Sequence, residues 1–230
     1  MFVPLHDNTP LKVIRFQLVT VTIIAINLVM YAVTGGFVSE NLAYAIDAGW
    51  GLVPGELTGV LPPVIGYDPI AEPLTLLTYQ FLHGGWWHVI SNMLFLWVFA
   101  DNIEDAFGHV AFAFFYLLCG VCAGLFHVLI SPASGAPLVG ASGAVSGILG
   151  AYVVLFPKSR VWILLFLRLP LRIGAVWVLG GWFALQIFSW WMDRANANAG
   201  IAFGAHIGGF LTGLAITFAI RRRLWMRLAA

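Results

Sequence analysis

Charged side chains are nearly missing from this chain: Asp, Glu, Lys and Arg make up 9% of its 230 residues, while 61% are hydrophobic and the mean hydropathy is +0.93. A soluble domain carries about 25% charged and about 45–50% apolar residues, so a water-exposed fold is excluded and an integral membrane protein is implied. Cysteine is scarce too. Cys119 and Cys122 form a C-x-x-C, but no helix N-terminus or base stands by to activate a thiol, so both read as small packing residues. His109 and His127 lack partners at metal-ligand spacing, so neither reads as a metal ligand. No composition shift marks off a soluble domain. A net charge of +1 offers nothing to nucleic acid. The halves show no repeat and no paired broken helices, which argues against a transporter or channel.

What is present is a series of six apolar stretches bounded by charges, Pro or Gly, at about 17–36, 86–102, 109–131, 139–156, 173–192 and 201–220, each of the roughly 20-residue length that crosses a bilayer. The expected fold is all-α, a polytopic membrane bundle of six transmembrane helices in a single domain. Residues 1–16 form a cytoplasmic leader, 17–220 the core and 221–230 a basic tail. The first stretch lacks a small-residue cleavage pattern and follows Asp7, Lys12 and Arg15, so it reads as an uncleaved anchor. With both ends inside, Lys12, Arg15, Lys158, Arg160, Arg168, Arg172, Arg221, Arg222, Arg223 and Arg227 all fall on the cytoplasmic side and only Arg194 outside; the positive-inside rule favours this orientation. Trp190 and Trp191, near the outer end of the fifth stretch, fit an interface belt.

Two connections are unusual. Residues 37–85 are too hydrophobic for a solvated loop and too interrupted by Pro and Gly for a span, which places them in the outer interface. Residues 161–172, "VWILLFLRLPLR", are apolar but carry Arg168, Pro170 and Arg172, which places them at the inner surface.

Against this background "GASGAVSGILGAY", Gly140 to Tyr152, stands out, with two serines four residues apart among four glycines. On a helix Ser146 lies about 40° round from Ser142 and roughly 6 Å deeper, and Gly143, Gly147 and Gly150 line the adjoining strip. Taken alone, small residues at this spacing read as a helix contact. In the last stretch, "GIAFGAHIGGFLTG" carries His206 on the same face as Ala202, Gly209 and Gly213. A lone histidine there is either a structural hydrogen-bonding group or a functional one. Depth separates the readings: Ser142 lies about 5 Å and His206 about 8 Å below the outer ends of their spans at 1.5 Å per residue. At one level, an imidazole that reaches the hydroxyl can take its proton and make it a nucleophile. "HGGWWHVISNMLF" opens the second stretch and sets His88 and Asn92 one turn apart on one face. Both can donate hydrogen bonds to an oxyanion, and both can also merely hydrate a helix end. Asp101, Glu104 and Asp105 sit at the inner end and Asp193 in an outer loop, so no acid joins the cluster, which favours a Ser–His dyad over a triad.

Together these motifs resemble the rhomboid intramembrane serine proteases: "GASG" opening the fourth span, "AHIGGFLTG" in the sixth, "HGGWWHVISN" opening the second, and a long hydrophobic first loop, over about residues 13–220. The resemblance implies Ser142 as nucleophile and His206 as general base, with Asn92, His88 and the backbone N–H of Ser142 as the oxyanion hole. Gly140 matches the first glycine of the motif, and Gly209 and Gly213 the close contact of fourth and sixth spans. It implies cleavage of single-span membrane proteins near their outer ends, without metal or cofactor, in a cavity opening outward from a bacterial or archaeal plasma membrane. Substrate entry is expected past the fifth span and the loop "DRANANAG". Two departures stand out. Where family members often have an aromatic residue one turn after the nucleophile, this chain has Ser146, so another group must hold the histidine ring. Residues 37–85 contain no Arg, so the Trp-Arg pair of one subset is missing and the loop needs another anchor. The rival reading within the family is an inactive relative acting as a membrane chaperone or binding partner.

Overall fold

The computed structural model describes residues 2–63, 70–193 and 202–229. Each of the six apolar stretches forms a helix. In chain order the elements are strand β1 (Phe2–Asp7), helix α1 (Leu18–Tyr31), continued by one wide turn over Ala32–Gly36, the short helices α2 (Glu40–Trp50), α3 (Pro54–Leu57) and α4 (Glu72–Thr78), and then α5 (Trp86–Phe107) and α6 (His109–Ile130). After these come α7 (Ser142–Leu155), strands β2 (Arg160–Leu165) and β3 (Leu169–Gly174), α8 (Ala175–Asp193) and α9 (Phe203–Ala229). Among the described residues, four segments are long and apolar enough to cross a membrane by themselves: Leu18–Gly36, His109–Ile130, Ala175–Met192 and Phe203–Ala229. Helix α5 has the length but carries Asp101, Glu104 and Asp105. Helix α7 is apolar throughout but has 14 residues, about 21 Å of rise.

The short helix is the centre of the bundle. Apart from Ser142, Val153 and Val154, all of α7 is buried; it packs against α5, α6, α8 and α9, and its contact with α9 is the most extensive in the molecule. Glycine makes that contact possible. A Cβ on Gly209 would collide with the Gly143 carbonyl, and one on Gly213 with the Gly147 carbonyl, so the two backbones touch with nothing between them. The hollows beside Gly143 and Gly147 are filled from the other side, by Ala123 and Cys119 of α6. The glycine strip therefore serves two neighbours at once. Cys119 is buried and unbridged, a packing residue as its sequence context suggests.

The end of the bundle that carries the leader holds a small sheet that the sequence reading did not foresee. Strands β1, β2 and β3 form an antiparallel sheet in that order, joining the leader to residues 160–174. The hairpin turn places Phe166 and Leu167 at φ 51° and 58°, a left-handed conformation that tight turns usually give to Asn or Gly. The usual hairpin signal is thus missing from "LLFLRLP". The acidic residues of α5 also find their use here. The Asp105 carboxylate accepts the backbone N–H groups of Lys12, Val13 and Ile14 at 2.7–2.8 Å, and Glu104 accepts those of Val19 and Thr20 at 2.9 and 2.8 Å. Glu104 thereby caps α1 from a neighbouring helix, satisfying N–H groups that no residue of α1 can reach. Tyr152 and Asn102 both donate to Asp7, which ties the sheet to α5 and α7.

The segment between α1 and α5 is anchored by backbone pairing. Leu52 and Leu138 exchange two hydrogen bonds (3.0 and 2.8 Å), and Gly55 N–H donates to the Ser134 carbonyl at 2.8 Å. The absent Trp-Arg pair is replaced by this ladder to the connection between α6 and α7.

Candidate active site

Ser142 is the first residue of α7, so its own N–H and those following it have no partner one turn back in the helix and face the same end as its side chain. Across the α7–α9 contact, His206 Nε2 lies 2.9 Å from Ser142 Oγ. The glycine approach sets this distance, because Gly209 is three residues beyond His206 on α9 and rests on the carbonyl of Gly143, next to Ser142. Ser146 points elsewhere, donating its hydroxyl to the Ser142 carbonyl at 2.6 Å.

His88 and Asn92 converge on the same place from α5. Gly140 sits at φ +123°, where a side chain is strained, and the space its Cβ would occupy is filled by the His88 ring with the Asn92 amide just beyond. The turn into Ser142 is thus covered by both expected oxyanion donors. The Gly140 N–H is held by the Tyr79 carbonyl at 2.9 Å. Ser142 and His206 thus meet directly, and His88 and Asn92 lie against the preceding Gly140.

Three residues of the site were not foreseen. Gln186 of α8, buried, lies with Oε1 3.0 Å from His206 Nδ1. Trp182, one turn earlier, flanks the same imidazole, with centroids 5.9 Å apart and planes tilted by 36°. These two occupy the role left open by Ser146. The sequence did hold a signal: Gln186 is the one amide in "WVLGGWFALQIFSWWM", and a polar side chain at such a position needs a partner. The third is His83, whose Nε2 lies 3.1 Å from Asn92 Nδ2. The amide nitrogen can only donate, so the ring nitrogen accepts. Burial, with His88 beside it, pushes the His83 imidazole down to about 3, so it stays neutral and keeps an acceptor for Asn92. Among the described residues no cluster of His, Cys, Asp and Glu is arranged to hold a metal ion; His109 is instead paired with Glu104. The expected entry loop "DRANANAG" lies outside the described residues, apart from the backbone of Asp193.

A helical membrane bundle with a serine opening one short helix and a histidine hydrogen-bonded to it from a helix packed against it is the class that fold and site define. A family model described as "Rhomboid domain" matches residues 71–223, and the chain belongs to the rhomboid family. It is 29% identical over 152 residues to "Rhomboid protein 1, mitochondrial" of Saccharomyces cerevisiae, which covers 64% of this chain and 42% of that protein. It is 31% identical over 159 residues to "Rhomboid-like protein 11, chloroplastic" of Arabidopsis thaliana, covering 64% and 52%. With "Presenilin-associated rhomboid-like protein, mitochondrial" of Mus musculus it shares 31% over 150 residues, covering 63% and 37%. The matched part spans about half or less of each relative's length. These relatives carry organellar names, so the expectation of a bacterial or archaeal plasma membrane is not supported; what stands is an integral membrane protein.

Proposed function

We propose that the chain is an intramembrane serine endopeptidase acting through a Ser142–His206 dyad. The observation that carries this reading is the 2.9 Å contact between Ser142 Oγ and His206 Nε2, made between two helices whose backbones touch. In the reaction, the Ser142 hydroxyl proton passes to His206 Nε2 as Oγ attacks the scissile carbonyl. The oxyanion faces the Ser142 N–H at the positive end of α7, with Asn92 and His88 as side-chain donors. Collapse breaks the C–N bond as His206 returns its proton to the departing amine, and a water deprotonated by the same nitrogen then hydrolyses the acyl-enzyme. The substrates are single-span membrane proteins cut near the outer face, while the protease itself crosses the membrane six times, with both chain ends inside and its site opening outward. A substrate helix must unwind there, since its carbonyl is otherwise hydrogen-bonded within the helix.

The test is labelling of the detergent-solubilised protein with a fluorophosphonate probe, alongside cleavage of a model transmembrane substrate. Wild type should label and cleave, and His206→Ala should do neither while keeping its thermal transition. Labelling of His206→Ala at the wild-type rate would overturn the dyad.

A further inference from the structure

We propose that Gln186 is the positioning residue for the base: its side-chain oxygen takes the Nδ1–H of His206, so that the lone pair of the neutral ring is held on Nε2, facing Ser142. This rests on the serine–histidine reading above and deepens it.

A neutral imidazole carries one proton on either of two nitrogens, and only the form bare at Nε2 can accept the Ser142 proton. In a dyad without a carboxylate something else must choose. Among the described residues two atoms lie within hydrogen-bond reach of the ring nitrogens, Ser142 Oγ at 2.9 Å and Gln186 Oε1 at 3.0 Å. A hydroxyl both donates and accepts, so Ser142 is indifferent to the tautomer. The Gln186 carbonyl oxygen only accepts, so it demands the proton on Nδ1 and leaves Nε2 bare. Trp182, one turn along α8, closes one side of the ring, so α8 supplies both the orientation and the tautomer. The same oxygen stabilises the imidazolium formed when Ser142 attacks, because it continues to accept from Nδ1–H as the ring becomes charged.

The competing explanation is that Gln186 merely holds α8 to α9, a common use of amides between membrane helices. That role would change stability and leave the chemistry alone. Among the described residues the ionisable groups acting on His206 are His88 from α5 and His127 from α6, while α7 contributes Ser142 and α8 the neutral Trp182 and Gln186.

The experiment compares the full-length wild type, Gln186→Leu and Gln186→Glu in detergent, using the fluorophosphonate probe, kcat and KM on a model transmembrane substrate, and the pH profile of kcat. Gln186→Leu should lower kcat by about 10–100-fold, part of the roughly 10²–10⁴ that a general base contributes, with KM unchanged. Gln186→Glu should restore activity, since a carboxylate accepts from Nδ1–H as well, and should move the acid limb to higher pH because its charge favours the imidazolium. Nitrogen-15 NMR of histidine-labelled wild type should show Nδ1 protonated and Nε2 bare at neutral pH. The role is overturned if Gln186→Leu retains the wild-type kcat and pH profile whatever its melting temperature, or if the NMR shows the opposite tautomer. Should Gln186→Leu fail to fold, the Gln186→Glu profile and the wild-type spectrum decide. A wild type that neither labels nor cleaves sinks the dyad itself, an outcome separable from loss of function in the variants alone.

Discussion

Ser146 donates its hydroxyl to the backbone carbonyl of Ser142 at 2.6 Å, so the two serines of "GASGAVSG" are partners with opposite duties. Ser142 opens the helix with its side chain turned to His206, while Ser146, one turn on and buried, spends its proton on its own helix. Ser142→Ala should therefore abolish cleavage and labelling, whereas Ser146→Ala should keep most activity and cost at most about 1–2 kcal/mol of stability. Mass spectrometry of the labelled peptide spanning Gly140 to Tyr152 checks this, the adduct being expected on Ser142.

Asn92 presents its amide nitrogen beside the turn into Ser142, with His83 accepting one of its hydrogens. Asn92→Ala is expected to lower kcat by about 10–10³-fold with KM little changed, since an oxyanion donor acts mainly in the transition state. His88→Ala should act in the same direction. Steady-state kinetics in detergent separates the two parameters, and a loss confined to KM would reassign Asn92 to substrate binding.

Gly140→Ala combines a strained φ of +123° with a methyl group driven against the His88 ring. It should reduce kcat together with stability, by roughly 1–3 kcal/mol in the latter. Thermal unfolding and kinetics on one preparation test the pair.

Backbone contact between α7 and α9 predicts a sharp contrast among glycines. Gly213→Ala places a methyl against the Gly147 carbonyl, which cannot move without moving its helix, and should destabilise by about 1–3 kcal/mol or more. Gly180→Ala on α8 meets nothing within 4 Å and should be neutral or stabilising by up to about 1 kcal/mol through helix propensity. Melting temperatures of both variants in detergent test the contrast; equal values would refute a backbone contact at Gly213.

Asp47, on α2 in the outer segment, has its carboxyl pushed up to about 6 by burial. Its native form prefers the proton more than the unfolded chain does, so it favours folding most below the unfolded value near 4, and that contribution fades as pH rises through about 6. Asp47→Asn should raise the melting temperature at pH 7.5 relative to wild type and leave it nearly unchanged at pH 4. Melting curves across that range check the sign.

The sequence by itself determined the class of molecule and the six helices to within a few residues at most of their ends, and it singled out Ser142, His206, His88 and Asn92 as candidates. Those are local properties: a run of apolar residues must close its own hydrogen bonds as helix in lipid, and a polar residue within such a run declares itself by its rarity. Tertiary structure alone decided who meets whom. The Gln186–His206 bond depends on helix rotation and crossing, and the His83–Asn92 bond on how the chain turns into α5, which hydropathy does not encode. The β1–β2 pairing joins residues about 160 positions apart, the β2–β3 hairpin closes through a turn at Phe166 and Leu167 with no Asn or Gly to announce it, and the capping of α1 by Glu104 hangs on a carboxylate 84 residues downstream of Thr20. Except for His83 and Asn92, nine positions apart, the two groups are remote along the chain and come within reach only when the glycine faces of α7 and α9 have drawn the bundle together or the leader and the β2–β3 hairpin have folded onto it.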